Sequence, residues 1–165
     1  GGEVAGCFDL ADLIYESRGE KPIHAILNES AYSAAYAIAS AADRILVPRT
    51  GGVGSIGVVC AHVDLSKALD KDGVKVTLIQ YGAHKTDGSH VKPLSDEAHA
   101  KLQADIDAMG ELFVQTVARN RGLSAAAVRD TQAACFMAKE GVDMGLADAV
   151  MSPDMAFHSL LHTID

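Results

Sequence analysis

Tryptophan is absent from this chain, and four tyrosines and four phenylalanines are all the large aromatic residues it has. A core built on aromatic rings is therefore excluded, and burial has to come from Ala, Val, Leu and Ile. Basic residues are in the minority, 14 Lys and Arg against 22 Asp and Glu, for a formal net charge of −8. They are also scattered, which excludes the basic stripe of a nucleic-acid footprint. No apolar run approaches the ~20 residues that a membrane-spanning helix needs, and no signal-peptide pattern opens the chain. C-x-x-C and H-E-x-x-H are both missing, so neither metal nor any other cofactor is expected. The cysteines are only Cys7, Cys60 and Cys135, odd in number, far apart and set among small or apolar residues. That pattern predicts free, buried thiols in a reducing compartment. The glycine fingerprint of dinucleotide sites, the Walker lysine and the G-x-S-x-G elbow are absent as well.

What is there centres on residues 23–42, IHAILNESAYSAAYAIASAA. Ile23, Ala25, Ile26 and Leu27 form a short apolar run, the pattern of a buried strand. Asn28, Glu29 and Ser30 break it with turn chemistry. From Ser33 onward the side chains are almost all small, and Ala is the strongest helix former, so a helix that can pack close to a sheet is expected. Ser33 stands where that helix begins, beside N–H groups with no intrahelical partner. Such a serine commonly caps the helix. It can also be a nucleophile with oxyanion donors at hand. On this segment alone the cap is the commoner role; the motifs further along reverse that order.

The remaining chain reads as alternating strands and helices, an α/β layered fold in one domain over residues 1–165. A glycine-rich opening leads to a helix over residues 8–18, and a strand is expected over 43–48. Gly51, Gly52, Gly54 and Gly57 are four glycines in seven residues. They predict either a turn cluster or bare backbone beside which a substrate strand can lie. Further strands are expected over 58–63 and, from β-branched alternation, over 74–80, with a helix over 65–72 between them. The polar loop 81–89 carries His84, Lys85 and Asp87 just past a strand end, where α/β folds collect chemistry, although each could equally be a solvated loop residue. A long helix capped by Ser95 should run to about residue 119, a short one follows Ser124, and a brief helix lies within 136–150. Residues from 151 on read as a last helix or a loose end.

Of the hydrolytic arrangements, a Ser-Lys pair needs one serine on an elbow and one lysine that can be neutral, and Ser33 and Lys85 are the natural choice. Seven histidines keep a Ser-His-Asp triad open as well.

Several motifs resemble the signal-peptide-peptidase-like serine proteases. Gly1-Gly2 looks like the end of their S/T-P-G-G loop. Ala31-Tyr32-Ser33-Ala34-Ala35-Tyr36 resembles their A-A-S-G-G-Y nucleophile segment. Gly54-Ser55-Ile56-Gly57-Val58 matches their G-S-I-G-V as it stands. Residues 82–88 resemble the G-x-x-K-x-D loop that carries a general-base lysine, and Gly145-Leu146-Ala147-Asp148 the closing G-L-x-D. Within the family, the opening and the loop around Lys85 look most like the capsid (prohead) proteases of lambda-like tailed phages. Two departures stand out: the glycines after the nucleophile are Ala34 and Ala35 here, and the strands that precede the glycine loop are missing.

The resemblance implies a Clp/crotonase-like α/β fold of repeated ββα units whose N-terminal part is missing, so the chain is expected to be a fragment. It implies Ser33 as nucleophile and Lys85 as general base. It places the oxyanion hole at the backbone N–H groups of Gly2 and Ala34, and the substrate groove along Gly54, Ser55, Ile56 and Gly57. It implies a protein substrate, a capsid or scaffold protein, a homo-oligomer in which neighbouring subunits can share the dyad, and a cytoplasmic place in the phage prohead. A membrane-associated signal peptide peptidase, an assembly module on the same fold and a crotonase-type acyl-CoA enzyme are the alternatives.

Overall fold

A computed structural model of the chain describes residues 1–164, and they fall into two compact units. The first comprises Gly1–Gly57 and the described part of Gly110–Asp165; the second is Val58–Met109.

In the first unit, helix α1 (Cys7–Glu16) precedes strands β1 (His24–Ile26) and β2 (Ser30–Tyr32), helix α2 (Ala34–Ser40), and strands β3 (Arg44–Val47) and β4 (Gly52–Gly54). Helix α3 (Ser66–Lys71) belongs to the second unit, and the 26-residue α4 (Asp96–Arg121) carries residues of both. Helix α5 (Ala125–Asp130), strand β5 (Cys135–Met137), helix α6 (Ala138–Asp143), strand β6 (Ala149–Val150) and helix α7 (Pro153–Ile164) complete the first unit. Ser30, expected in a turn, instead starts β2, a strand of three residues that the alanine-rich pattern around it conceals.

The strand pairs β1/β2, β3/β4 and β5/β6 each split between two sheets. One sheet has the order β1-β3-β6, all parallel; the other has β2-β4-β5, with β2 parallel and β5 antiparallel to β4. The ββα repeat expected from the resemblance is this alternation. The close spacing of β2 and β4 explains two glycines. A Cβ on Gly51 would overlap the Glu29 carbonyl, and one on Gly52 would overlap the Tyr32 hydroxyl.

The core is aliphatic, as the composition requires. Ile45, Val47, Val53, Val117, Val128 and Leu146 are all buried. Phe8 meets Phe113 edge to face, with ring centroids 5.7 Å apart. The small side chains of α2 let α1 pack against it, and Arg18 closes the end of α2. Its Nε donates to the Ala41 carbonyl at 2.7 Å, and its Nη2 to those of Ser40 at 3.1 Å and Ala42 at 2.5 Å. A guanidinium there satisfies carbonyls that have no helical N–H and complements the helix dipole.

The closing Gly145-Leu146-Ala147-Asp148 is a structural latch. Asp148 Oδ2 accepts from the Ile45 N–H at 2.7 Å and Oδ1 from Arg121 Nη2 at 3.0 Å. Arg121 Nε reaches the Gly145 carbonyl at 3.1 Å, and the buried Tyr36 hydroxyl donates to the Leu146 carbonyl at 2.8 Å.

In the second unit, neither 58–63 nor 74–80 forms a strand. The β-branched pattern is there, but among the described residues neither segment has a strand beside it to complete a ladder, and propensity without pairing does not make a sheet. Val59 is 89% exposed and Ile79 96% exposed. Ser95 caps α4 as expected, its Oγ accepting from the Ala98 N–H at 3.2 Å.

Candidate functional site

Ser33 links β2 to α2, and its backbone is the most unusual of the segment. It has φ 56° and ψ −130°, outside the regions L-residues normally occupy, and its side chain makes no cap hydrogen bond. The capping role is therefore overturned. The conformation costs on the order of 1–3 kcal/mol and persists only where its surroundings impose it. They do so through the main chain. The Ser33 N–H donates to the Gly54 carbonyl at 3.0 Å, and the Ser33 carbonyl accepts from the N–H groups of Tyr36 at 2.8 Å and Ala37 at 3.0 Å. Those two bonds open α2 and involve neither Ala34 nor Ala35, whose N–H groups belong to the donors a helix leaves free at its start.

The opening glycines lie against this elbow. A Cβ built on Gly1 would stand 3.3 Å from Ser33 Cβ and 3.8 Å from its Oγ, and one on Gly2 would stand 3.6 Å from Ala34 Cβ. Gly1, Gly2, Ser33 and Ala34, far apart in sequence, are thus neighbours. Cys7 adds a contact from the start of α1, its Sγ donating to the Ala34 carbonyl at 3.5 Å. Burial pushes the Cys7 thiol up, so it stays protonated. Cys60 and Cys135 are free but exposed, against the expectation that all three thiols are buried.

Strand β4 ends at Gly54, where the G-S-I-G-V motif begins. Both edges of β4 are taken, by β2 and β5, so Gly52 and Gly54 are bare for close strand packing and not for a substrate. Ser55, Ile56 and Gly57 leave the sheet. Ser55 has φ 54°, its N–H donates to the Ala134 carbonyl at 2.8 Å, and Ile56 is buried. The half-buried backbone of Ser55 and Gly57 is the part of the motif that can meet a peptide.

Lys85 belongs to the second unit, in a loop that Gln80 holds. Gln80 Nε2 donates to the carbonyls of Gly82 at 3.1 Å and Ala83 at 2.9 Å, and its Oε1 accepts from Thr86 Oγ1 at 2.5 Å. Lys92 Nζ donates to the same Thr86 hydroxyl at 2.9 Å. His84 Nδ1 pairs with Asp87 Oδ2 at 2.9 Å, and that hydrogen bond pushes the imidazole pKa up. Lys85 itself is exposed. Beside it a cavity of about 470 Å³ is lined by His84, Asp87, Glu97 and Lys101 among others. The clamp by Gln80 was not foreseen, because a glutamine closing an alternating apolar run carries no motif. Among the described residues no three His, Cys, Asp or Glu side chains are grouped to hold a metal ion, and no helix is long and apolar enough to cross a membrane.

Comparison with known proteins fits this geometry. Residues 16–163 match the description of peptidase family S49. The chain is 42% identical over 165 residues to capsid assembly protease C of Escherichia phage lambda, covering 100% of this chain and 38% of that protein. It is 45% identical over 152 residues to head-tail preconnector protein GP5 of Enterobacteria phage P21, covering 92% of this chain and 30% of that protein. The chain thus spans well under half the length of either phage relative. Among solved structures, the membrane-bound stomatin-specific protease 1510-N matches with a TM-score of 0.58 at 13% identity, covering 97% of this chain and 64% of that one. That likeness is one of fold, and the fold is the expected Clp/crotonase-like α/β class.

Proposed function

We propose, for a chain that belongs to peptidase family S49, a serine endopeptidase that processes capsid or scaffold protein during phage head assembly, with Ser33 as nucleophile and Lys85 as general base. The observation that carries this reading is at Ser33, whose hydroxyl is spent on no helix cap while its backbone is held in a strained conformation at a strand-to-helix junction. Ser33 Oγ attacks the scissile carbonyl carbon, and its proton passes to the neutral amine of Lys85. The N–H groups of Ala34 and Gly2 meet the oxyanion. Collapse breaks the C–N bond, and the leaving amine takes the proton from Lys85. Water then cleaves the acyl-enzyme by the same route. Ser55 and Gly57 offer backbone to the peptide.

Lys85 must be neutral before it can accept a proton, and it is exposed in the single chain. Desolvation then comes from the bound peptide or from a neighbouring copy, which makes a homo-oligomer part of the proposal. The names of the two phage relatives support a protein substrate and a place in the prohead inside the host cytoplasm.

One observation favours a second reading. Val59, Ile79 and Tyr81 are almost wholly exposed on segments without a strand partner, as suits a module retained for assembly. Full-length protein treated with a fluorophosphonate probe, and separately with the cognate scaffold protein, separates the two. The dyad predicts labelling and cleavage that Ser33→Ala abolishes, and cleavage that Lys85→Ala lowers by about 100-fold or more while assembly persists. Normal cleavage by Lys85→Ala moves the base elsewhere, with His84 the nearest candidate. A folded, assembled wild type inert to both reagents leaves the assembly reading.

A further inference from the structure

Among the described residues, four that are not glycine have positive φ: Ser33 at 56°, Ser55 at 54°, Gln132 at 47° and Ala133 at 57°. They are spread over a hundred positions of sequence and meet in one patch of the first unit. Ser33 bonds to Gly54; Ser55 donates to the Ala134 carbonyl at 2.8 Å; and Gly54 pairs with Cys135 across β4 and β5. A Cβ built on Gly57 would lie 2.7 Å from Ala133 Cβ, so the Ala133 methyl faces the bare α-carbon of Gly57.

The turn that carries Ala133 is firmly held. The Thr131 hydroxyl donates to the Val128 carbonyl at 2.7 Å, the Gln132 side chain donates to the Arg129 carbonyl at 2.9 Å, and the Ala134 N–H donates to the Thr131 carbonyl at 2.9 Å. Left-handed residues after a helix are ordinary, but glycine fills such places without cost. Alanine at φ 57° is an expense that the end of α5 does not require, and strain of this kind gathers where a fold positions a site.

We infer that Ala133 and Ala134 are positioning residues for peptide binding, Ala134 through its carbonyl on Ser55 and Ala133 through its methyl against Gly57. Together they set how far Ser55, Ile56 and Gly57 stand from the bound peptide. This rests on the reading of Ser33 as nucleophile and of residues 55–57 as the peptide-binding stretch. Because they act on the groove and not on the attacking hydroxyl, their loss is felt in binding and not in chemistry.

The test uses the full-length protein with two probes, fluorescein-labelled casein and a small fluorophosphonate that needs Ser33 but little of the groove. Ala133→Gly is expected to raise KM for casein about fivefold with kcat held, to leave the rate of fluorophosphonate labelling within about twofold, and not to lower Tm. Gly57→Ala alone should raise KM further, and adding Ala133→Gly to it should recover part of the loss, because one methyl has been exchanged for the other. Wild type that reacts with both probes while Ala133→Gly changes neither overturns this inference alone. Equal losses in cleavage and labelling overturn it too, as does simple additivity of the two substitutions. Wild type inert to both probes overturns it together with the reading of Ser33.

Discussion

Ser33 donates its backbone N–H to the carbonyl oxygen of Gly54 across 3.0 Å. Both partners have positive φ, 56° at Ser33 and 116° at Gly54. The bond therefore ties the end of β2 to the point where β4 stops, and neither strand can relax without moving the other. The elbow is thus anchored on Gly54, one residue before the stretch at 55–57.

Replacing Ser33 by glycine removes the steric cost of that conformation and keeps the Gly54 bond. Ser33→Gly should be more stable than the parent by about 1 kcal/mol while losing all reactivity towards an acylating probe. Chemical denaturation followed by circular dichroism measures the first effect. Equal or lower stability would mean that the backbone at Ser33 is not strained.

Asp148→Ala should destabilise the first unit. It strips the Ile45 N–H of its acceptor and leaves Arg121, whose side chain is only 7% exposed, without its counter-charge. A loss of about 2 kcal/mol is expected, read as a lowered urea midpoint with unchanged m-value. Asp148→Asn should recover part of it, since an amide oxygen can still accept.

Tyr36→Phe tests the other half of the latch. The hydroxyl is buried, donates to the Leu146 carbonyl at 2.8 Å, and has its pKa pushed up by burial. Its removal orphans a buried carbonyl, for a cost of about 1–2 kcal/mol. In alkaline titration of the native protein followed at 295 nm, the parent and Tyr36→Phe should give the same tyrosinate signal until the protein unfolds, because Tyr36 contributes none.

Glu111 joins α4 to α5 by accepting two hydrogen bonds from Arg129, at 2.9 and 2.6 Å. Those bonds, with one from Gln115, hold its carboxyl down to about 2 from an ordinary 4.5. The folded value lies below the unfolded one. The contribution to stability is therefore complete above pH 4.5 and is lost as pH falls from there through about 2. Glu111→Gln should lower Tm slightly near pH 7 and flatten the acid limb of a Tm-against-pH curve by the same small amount, so that the two curves converge as the pH falls through that window; the effect is small because the pair is exposed. An acid limb identical to the parent's would show that the pair does not form in solution.

Helix periodicity and caps were legible along most of the chain. Ser95 and Ser124 cap helices as their sequence context requires, with the Ser124 hydroxyl accepting from the Ala127 N–H. The neighbourhood of Ser33, Ala34 and the opening glycines was reached through motif order, which groups these residues without saying how they are held. Other features had no local signal. The strand at Ser30 is three residues long and exists because β4 lies beside it. Conversely, residues 74–80 have every local mark of a strand and form none, since pairing is a property of the surroundings. By sequence the glycines at 51 and 52 fit either a turn cluster or room for a substrate, and in the structure they answer to Glu29 and Tyr32. Left-handed backbone at Gln132 and Ala133 was invisible because neither residue type advertises it.

The interleaving of the two sheets also sets a schedule. Strand β4 receives its second neighbour only when Cys135–Met137 is available, and β3 only when Ala149–Val150 is. The Ala134 carbonyl that holds Ser55 arrives equally late. A nascent chain that has released Ser33 therefore lacks one strand of each three-stranded sheet until about a hundred further residues have left the ribosome. The elbow at Ser33 is thus synthesised early, while the two sheets that hold it are completed late.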